Sequence, residues 1–228
     1  MVTENDRLYL RYRDGETAYV GQLEDYAVYA LALLELYRVT FDAKYLQAAI
    51  HRAKQMVELF EDKKNGGYFM TAFDGEQLIA RPKETYDGAM PSGNSVAAMV
   101  LQTLASLTGE PEWQAAADRQ LSFLAGEIGE YPSASCFGVL AMMDALYPHR
   151  ELVCTISDGL PDELKNYLKS HPADDLHVLL KTKENAETLA ECAPFTKDYP
   201  IPGQGTMYYL CENGACKAPV SEFRMLKM

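Results

Sequence analysis

The chain has 228 residues, 48% of them hydrophobic and 15 of them Tyr, which is enough to bury the core of one large domain or two small ones. A net charge of −12 argues against nucleic acid and acidic membranes as main partners. No apolar run approaches the roughly 18 residues of a membrane span, and Met1-Val2-Thr3-Glu4-Asn5-Asp6 lacks the basic and apolar regions of an export signal, so a cytoplasmic location is expected.

The first helix is expected over Gly21–Val39, where Leu23, Tyr26, Ala27, Ala30, Leu33, Leu34 and Tyr37 recur at three and four residues. Its apolar residues spread over most faces, as in a helix buried on more than one side. After a break at Thr40-Phe41-Asp42, a more amphipathic helix is expected over Ala43–Phe60. Gly66–Thr71 and Gln77–Ala80 flank Asp74-Gly75 and read as a short β-hairpin. Two further helices follow at Pro91–Leu107 and Pro111–Ile128, separated by Thr108-Gly109-Glu110. Thr40–Tyr45 aligns with Thr108–Trp113, and at the same offset Leu33 meets Leu101, Leu36 meets Leu104 and Ala48-Ala49 meets Ala116-Ala117. A buried helix followed by an amphipathic one, repeated, marks a helical array.

A fifth apolar helix is expected over Ser133–Tyr147. Beyond His149 the pattern turns α/β. Strands at Leu152–Ile156 and Leu176–Leu180 around a helix at Pro161–Ser170 imply a parallel crossover. One or two more strands are expected at Met207–Cys211 and Cys216–Ala218, loop with some helix at Glu184–Pro202, and a terminal helix at Ser221–Lys227. The expected division is a helical part over residues 1–149 and a small α/β subdomain over 150–228.

The densest polar stretch is Tyr86–Ser95, set against the start of the third helix. Ser92, Asn94 and Ser95 there can cap the free N–H groups of the helix or bind an anion or polyol. Cys211 and Cys216 flank a turn-like tetrapeptide and can face each other at disulfide distance. Two half-buried thiols on adjacent strands are the favoured reading, given an odd cysteine count. The four histidines (His51, His149, His171 and His177) show no metal-ligand spacing, and no metal or cofactor is expected. Gly203-Gln204-Gly205 fails the dinucleotide context, and Asp158-Gly159 reads as a plain βα turn.

Leu23-Glu24-Asp25-Tyr26-Ala27, Gly66-Gly67-Tyr68-Phe69, Asp87 with Pro91-Ser92-Gly93-Asn94-Ser95, and the late Tyr209-Leu210-Cys211…Cys216…Pro219 come in order. Together they resemble the C-terminal part of the spermatogenesis-associated thioredoxin-domain family, over nearly the whole chain. The resemblance implies a mainly α fold: part of an (α/α)6 toroid of helical hairpins, similar to N-acylglucosamine 2-epimerases and six-hairpin glycosidases, followed by the small α/β subdomain. The chain has neither a thioredoxin-like start nor Cys-x-x-Cys. An incomplete toroid exposes inner-helix faces, which implies self-association or a missing partner, with a thioredoxin-like domain as one candidate.

In such a toroid the inner helices start on one rim. Glu24 and Asp25 on the first helix, and Asp87 before the third, then become candidate catalytic carboxylates for glycoside chemistry. Tyr26, Tyr68, Phe69 and Tyr86 become candidate sugar-stacking residues beside Ser92, Asn94 and Ser95. The plain alternatives are acids that favour the helix dipole and aromatics that belong to the core. The expected function is therefore a carbohydrate-binding or carbohydrate-active module, or else a non-catalytic scaffold that docks another protein.

Overall fold

The computed structural model describes residues 2–75, 79–147, 149–171, 176–212 and 215–226. The chain opens with an antiparallel hairpin, β1 (Tyr9–Arg13) and β2 (Glu16–Val20). Its turn residues Asp14 and Gly15 both take positive φ, the backbone geometry that suits a two-residue hairpin. Both strands are mostly exposed and so carry little alternating signal. The hairpin expected at Asp74-Gly75 is not formed in that way. Glu61 and Tyr68 make a single bridge, Met70 N–H reaches the Pro82 carbonyl, and Gln77 and Leu78 lie outside the described residues.

The helical part is built from α1 (Leu23–Thr40), α2 (Ala43–Phe60), α3 (Gly93–Thr108), α4 (Pro111–Ile128) and α5 (Cys136–Leu146). α1, α3 and α5 stand side by side, with α2 packed on α1, and α4 on α3 and α5. The sequence repeat is a structural repeat down to single atoms. Thr40 Oγ1 donates to the Leu36 carbonyl and accepts from Asp42 N–H; Thr108 Oγ1 donates to the Leu104 carbonyl and accepts from Glu110 N–H. Phe41 and Gly109 both close their helices in the left-handed conformation, and Asp42 and Glu110 both precede the next helix. The fifth helix is shorter than its hydrophobic run. A 3-10 turn at Pro132–Ala134 precedes it because Asp87 N–H bonds the Ala134 carbonyl and the Ser135 hydroxyl bonds the Thr85 carbonyl.

The α/β part forms one sheet from β3 (Arg150–Ile156), β4 (Leu176–Lys181), β5 (Thr206–Glu212) and β6 (Ala215–Cys216), in the order β4-β3-β5-β6. β3 and β4 are parallel across α6 (Asp162–Ser170), and β5 returns antiparallel to β3. The irregular stretch holds α7 (Ala186–Cys192) and a 3-10 turn, Pro194–Asp198. Lys181 is buried, and its ammonium donates to the Thr196 and Tyr199 carbonyls. Asp158 accepts from Gly205 N–H and the Ser157 hydroxyl, which makes it a loop-closing turn residue, as expected. The terminal helix is reduced to a 3-10 turn at Phe223–Met225, with Lys227 outside the described residues.

Cys211 and Cys216 are a disulfide rather than two thiols. They are direct partners across the β5–β6 pair, with Cα atoms 3.9 Å apart, so the register itself brings the sulfurs together. Cys154 and Cys192 remain buried thiols, and burial pushes them up to about 12 and about 11. Helical and α/β parts share one continuous core, and the Tyr37 hydroxyl donates to the Val178 carbonyl at 3.2 Å across their junction.

The repeat sets a testable conflict at Phe41, which takes φ 56° where its counterpart is glycine. A left-handed L-residue costs about 1–2 kcal/mol. Yet the Phe41 ring is buried and meets Tyr37 edge-on, and deleting such a ring costs about 3–5 kcal/mol. Phe41→Gly is therefore expected to lower unfolding stability by about 2–3 kcal/mol in a denaturant titration; a stabilised variant would show that strain outweighs burial.

Candidate functional site

Ser92 precedes α3 in an extended conformation, and its hydroxyl accepts from Ser95 N–H at 3.2 Å. The carboxylate of Asp87 lies behind this cap. One oxygen accepts from Ser92 N–H at 2.7 Å. The other accepts from the Ser95 hydroxyl at 3.2 Å and from Phe137 and Gly138 N–H at 2.7 and 3.1 Å. One side chain thus serves the starts of two helices, α3 and α5, where unpaired N–H groups and the positive end of the helix dipole favour a negative charge. Gly138 must be small for this: an added Cβ would lie 2.7 Å from Ile128 and 2.9 Å from Ser95 Oγ.

Asn94 completes the centre. Its Oδ1 accepts from Tyr68 N–H at 2.8 Å and Gln120 Nε2 at 3.1 Å, and its Nδ2 donates to the Tyr68 and Glu84 carbonyls, both at 2.9 Å. Two donors and two acceptors are the full capacity of an amide at this site. The strap that carries Glu84 is tied down by Lys83, whose ammonium donates to the Gly66 carbonyl and Asp62 at 2.6 Å each. That ammonium and the Asn65 amide hold Asp62 well below the usual carboxylate range.

α1 starts beside α3. Gly93 permits the approach, since a Cβ there would meet Leu23 at 2.7 Å and Glu24 N at 3.2 Å. Asp25 accepts from Gln22 N–H at 2.7 Å, capping its own helix, and burial raises its carboxyl above the usual range. The space left between the two helix starts, lined by Gln22, Leu23, Glu24, Met70, Glu84 and Gly93, amounts to about 10 Å³, room for about one water.

The structure therefore brings Asp87, Ser92 and Ser95 into one hydrogen-bonded chain and joins Asn94 to the Tyr68 backbone. It does not assemble the other candidates around a common space. Tyr26 is fully buried on Phe60, and its hydroxyl accepts from Leu8 N–H and Arg7 Nε. The Tyr68 ring is also buried, and the Phe69 ring lies under the guanidinium of Arg81. Glu24 is exposed and Tyr86 is 61% exposed. Asp25 holds the start of its own helix and Asp87 the starts of α3 and α5, with backbone N–H groups as their main partners. Among the described residues no group of three or more His, Cys, Asp or Glu could hold a metal ion. Gln120, Lys83 and Asp62 were missed in the sequence. Gln120 had a signal: it interrupts the buried stripe Trp113, Ala116, Ala117 and Leu124 of α4.

No family model matches the chain. It is 28% identical over 205 residues to spermatogenesis-associated protein 20 of human and of rat, and 27% identical to that of mouse. The similarity covers 89% of this chain and 26% of each relative, so the chain spans about a quarter of the length of the curated relatives it matches. The family resemblance drawn from the motifs is supported at that level.

If Asp87 is the shared cap of α3 and α5, its removal is a stability event. Hydrogen bonds to a charged group contribute about 1.5–3 kcal/mol and a helix cap about 0.5–2. Asp87→Ala is expected to lose about 2–4 kcal/mol of unfolding free energy. A variant as stable as the parent in urea would exclude the shared-cap role.

Proposed function

We propose that this chain is a non-catalytic interaction module that docks a helical partner through the outer face of α5, and that in isolation the partner is a second copy. The observation that carries the reading is the exposure of an apolar helix. α5 contains one charged residue, Asp144, yet buries only Gly138 and Ala141 closely. On the opposite face, at spacings of three and four, stand Leu140 and Met143, with Tyr147 just beyond the helix. Leu140 is 53% and Tyr147 60% exposed. A helix that is apolar all round belongs in an interior. The surface continues at the start of α5 through Tyr131, and Tyr86 and Met90 are exposed on the loop bonded to that start. Asp144, one turn after Leu140, is the single charged residue of α5 and lies 3.8 Å from His149 Nε2, so two copies of net charge −12 meet at the Leu140–Met143 face with little opposed charge, and a self-complementary contact suits a two-fold dimer.

The other open edge is α1, where Tyr29, Leu36 and Val39 are exposed. A row of helices with two uncovered ends is what a segment of a larger helical array presents, and the relatives are about four times longer than the matched region. Closure into an (α/α)6 toroid with further helices belongs to this proposal. The internal engagement of Asp87, Asn94, Ser92 and Ser95 favours the scaffold over the carbohydrate-active reading. What remains for a sugar is Glu24 and Tyr86, the exposed pair.

The test is solution mass by light scattering on a sizing column. The parent is expected near twice 25.5 kDa, and Leu140→Lys with Met143→Lys near 25.5 kDa with unchanged far-ultraviolet circular dichroism. A parent that stays monomeric at high concentration overturns self-docking. Saturable stabilisation by a mono- or disaccharide, lost in Glu24→Gln, would instead support the carbohydrate reading.

A further inference from the structure

A second feature lies at the other end of the same helices. A cavity of about 560 Å³ opens where the C-terminal halves of α1 and α3 face α6 and the start of β4. Ligand sites commonly fall in the range of about 300–1,000 Å³ and are apolar, with a few placed polar groups. The walls here are Leu31 and Leu34 of α1, Met99 and Leu107 of α3, Leu168 of α6 and Val178 of β4.

The polar groups are not spread evenly. Lys165 and Lys169 are exposed and one helical turn apart on α6, so their ammonium groups share the rim on one side. Neither forms an ion pair with another described residue. Arg38 lies on the α1 side of the rim, 3.5 Å from Glu35. Asp144 lines the cavity from the end of α5 and lies 3.8 Å from His149 Nε2. Among the described residues the rim carries three cationic side chains against two carboxylates, on a chain whose net charge is −12.

At depth the lining includes His177, whose ring meets His149 at 5.4 Å in a tilted arrangement. Burial, His149 and Arg38 push His177 down to about 4, so it is neutral at pH 7, with one nitrogen that donates and one that accepts. No hydrogen bond reaches its ring nitrogens from the described residues, and His149 Nδ1 behind it is buried without a partner.

We propose that this cavity binds an amphipathic carboxylate, with the carboxylate at Lys165 and Lys169 and the hydrocarbon chain against the leucine wall toward His177. The combination of an apolar volume and a cationic rim selects a single anionic head on an apolar body. A polyanion would meet Glu35 and Asp144, and a neutral hydrocarbon would leave the lysines unused. The site is independent of the α5 face and stands or falls separately from it.

The probe is dodecanoate, added below its micellar range and followed by titration calorimetry. One molecule is expected to bind per chain. The double variant Lys165→Glu/Lys169→Glu is expected to weaken it at least tenfold. Thr103→Tyr, which fills the cavity from the α3 wall, is expected to abolish binding. Dodecylamine is expected to bind at least tenfold more weakly than dodecanoate. Absence of saturable dodecanoate binding overturns the proposal, as does binding retained in Thr103→Tyr. Equal binding of the amine overturns the choice of an anion.

Discussion

Asn94 sits fully buried in the first turn of α3 with its amide bonded on all four sides. It pairs with the Tyr68 backbone as a neighbouring strand would, reaches the strap at Glu84, and receives Gln120 from α4. Such a network is stabilising only when complete, because a low-dielectric interior makes each missing partner expensive. Asp87 extends the same logic to α5, and Gly93 lets α1 start against α3. The positions of α1, α3 and α5 thus depend on one short polar segment.

That arrangement has consequences at both margins of the helical row. With α3 held centrally by polar groups, α1 and α5 each bury the side that faces it and leave their outer sides apolar and open. Further along, the same helices reach the α/β part. There Tyr37 bonds β4 and the gap to α6 becomes the apolar cavity with its cationic rim. The polar hub, the open edge and the cavity are three features of one packing solution. In the first of them the Asn94 amide has all four of its hydrogen bonds filled from within.

Much of the helical part is legible from periodicity, because amphipathic helices announce themselves at three and four residues. The ends of α2 and α4 fall where the sequence places them, and the Thr40/Thr108 repeat predicts two turns that prove alike in their hydrogen bonds. The exposed hairpin β1–β2 carries no burial pattern and so escapes notice. The Cys211–Cys216 bridge depends on strand register, which residue counts do not reveal. The candidate site is legible as a cluster but not as a role. Ser, Asn and Asp before a helix serve equally as caps or as ligand groups, and only the partners on Asp87 and Asn94 distinguish the two. Gln120 lies far from the motif in sequence and joins it only through tertiary packing, and Lys83, just before the motif, gains its role only through Gly66 and Asp62.

The most direct test is the unfolding free energy of Asn94→Ala. Truncation leaves Tyr68 N–H and the Tyr68 and Glu84 carbonyls without the Asn94 side chain, while Gln120 keeps only its bond to the Asn94 carbonyl, at about 1–3 kcal/mol for each group left unsatisfied. A loss of about 3 kcal/mol or more is expected if the segment is the structural centre of the fold. A change within about 0.5 kcal/mol, the usual range for substitutions away from such features, would contradict it. The polar segment would then have to be read as a ligand site.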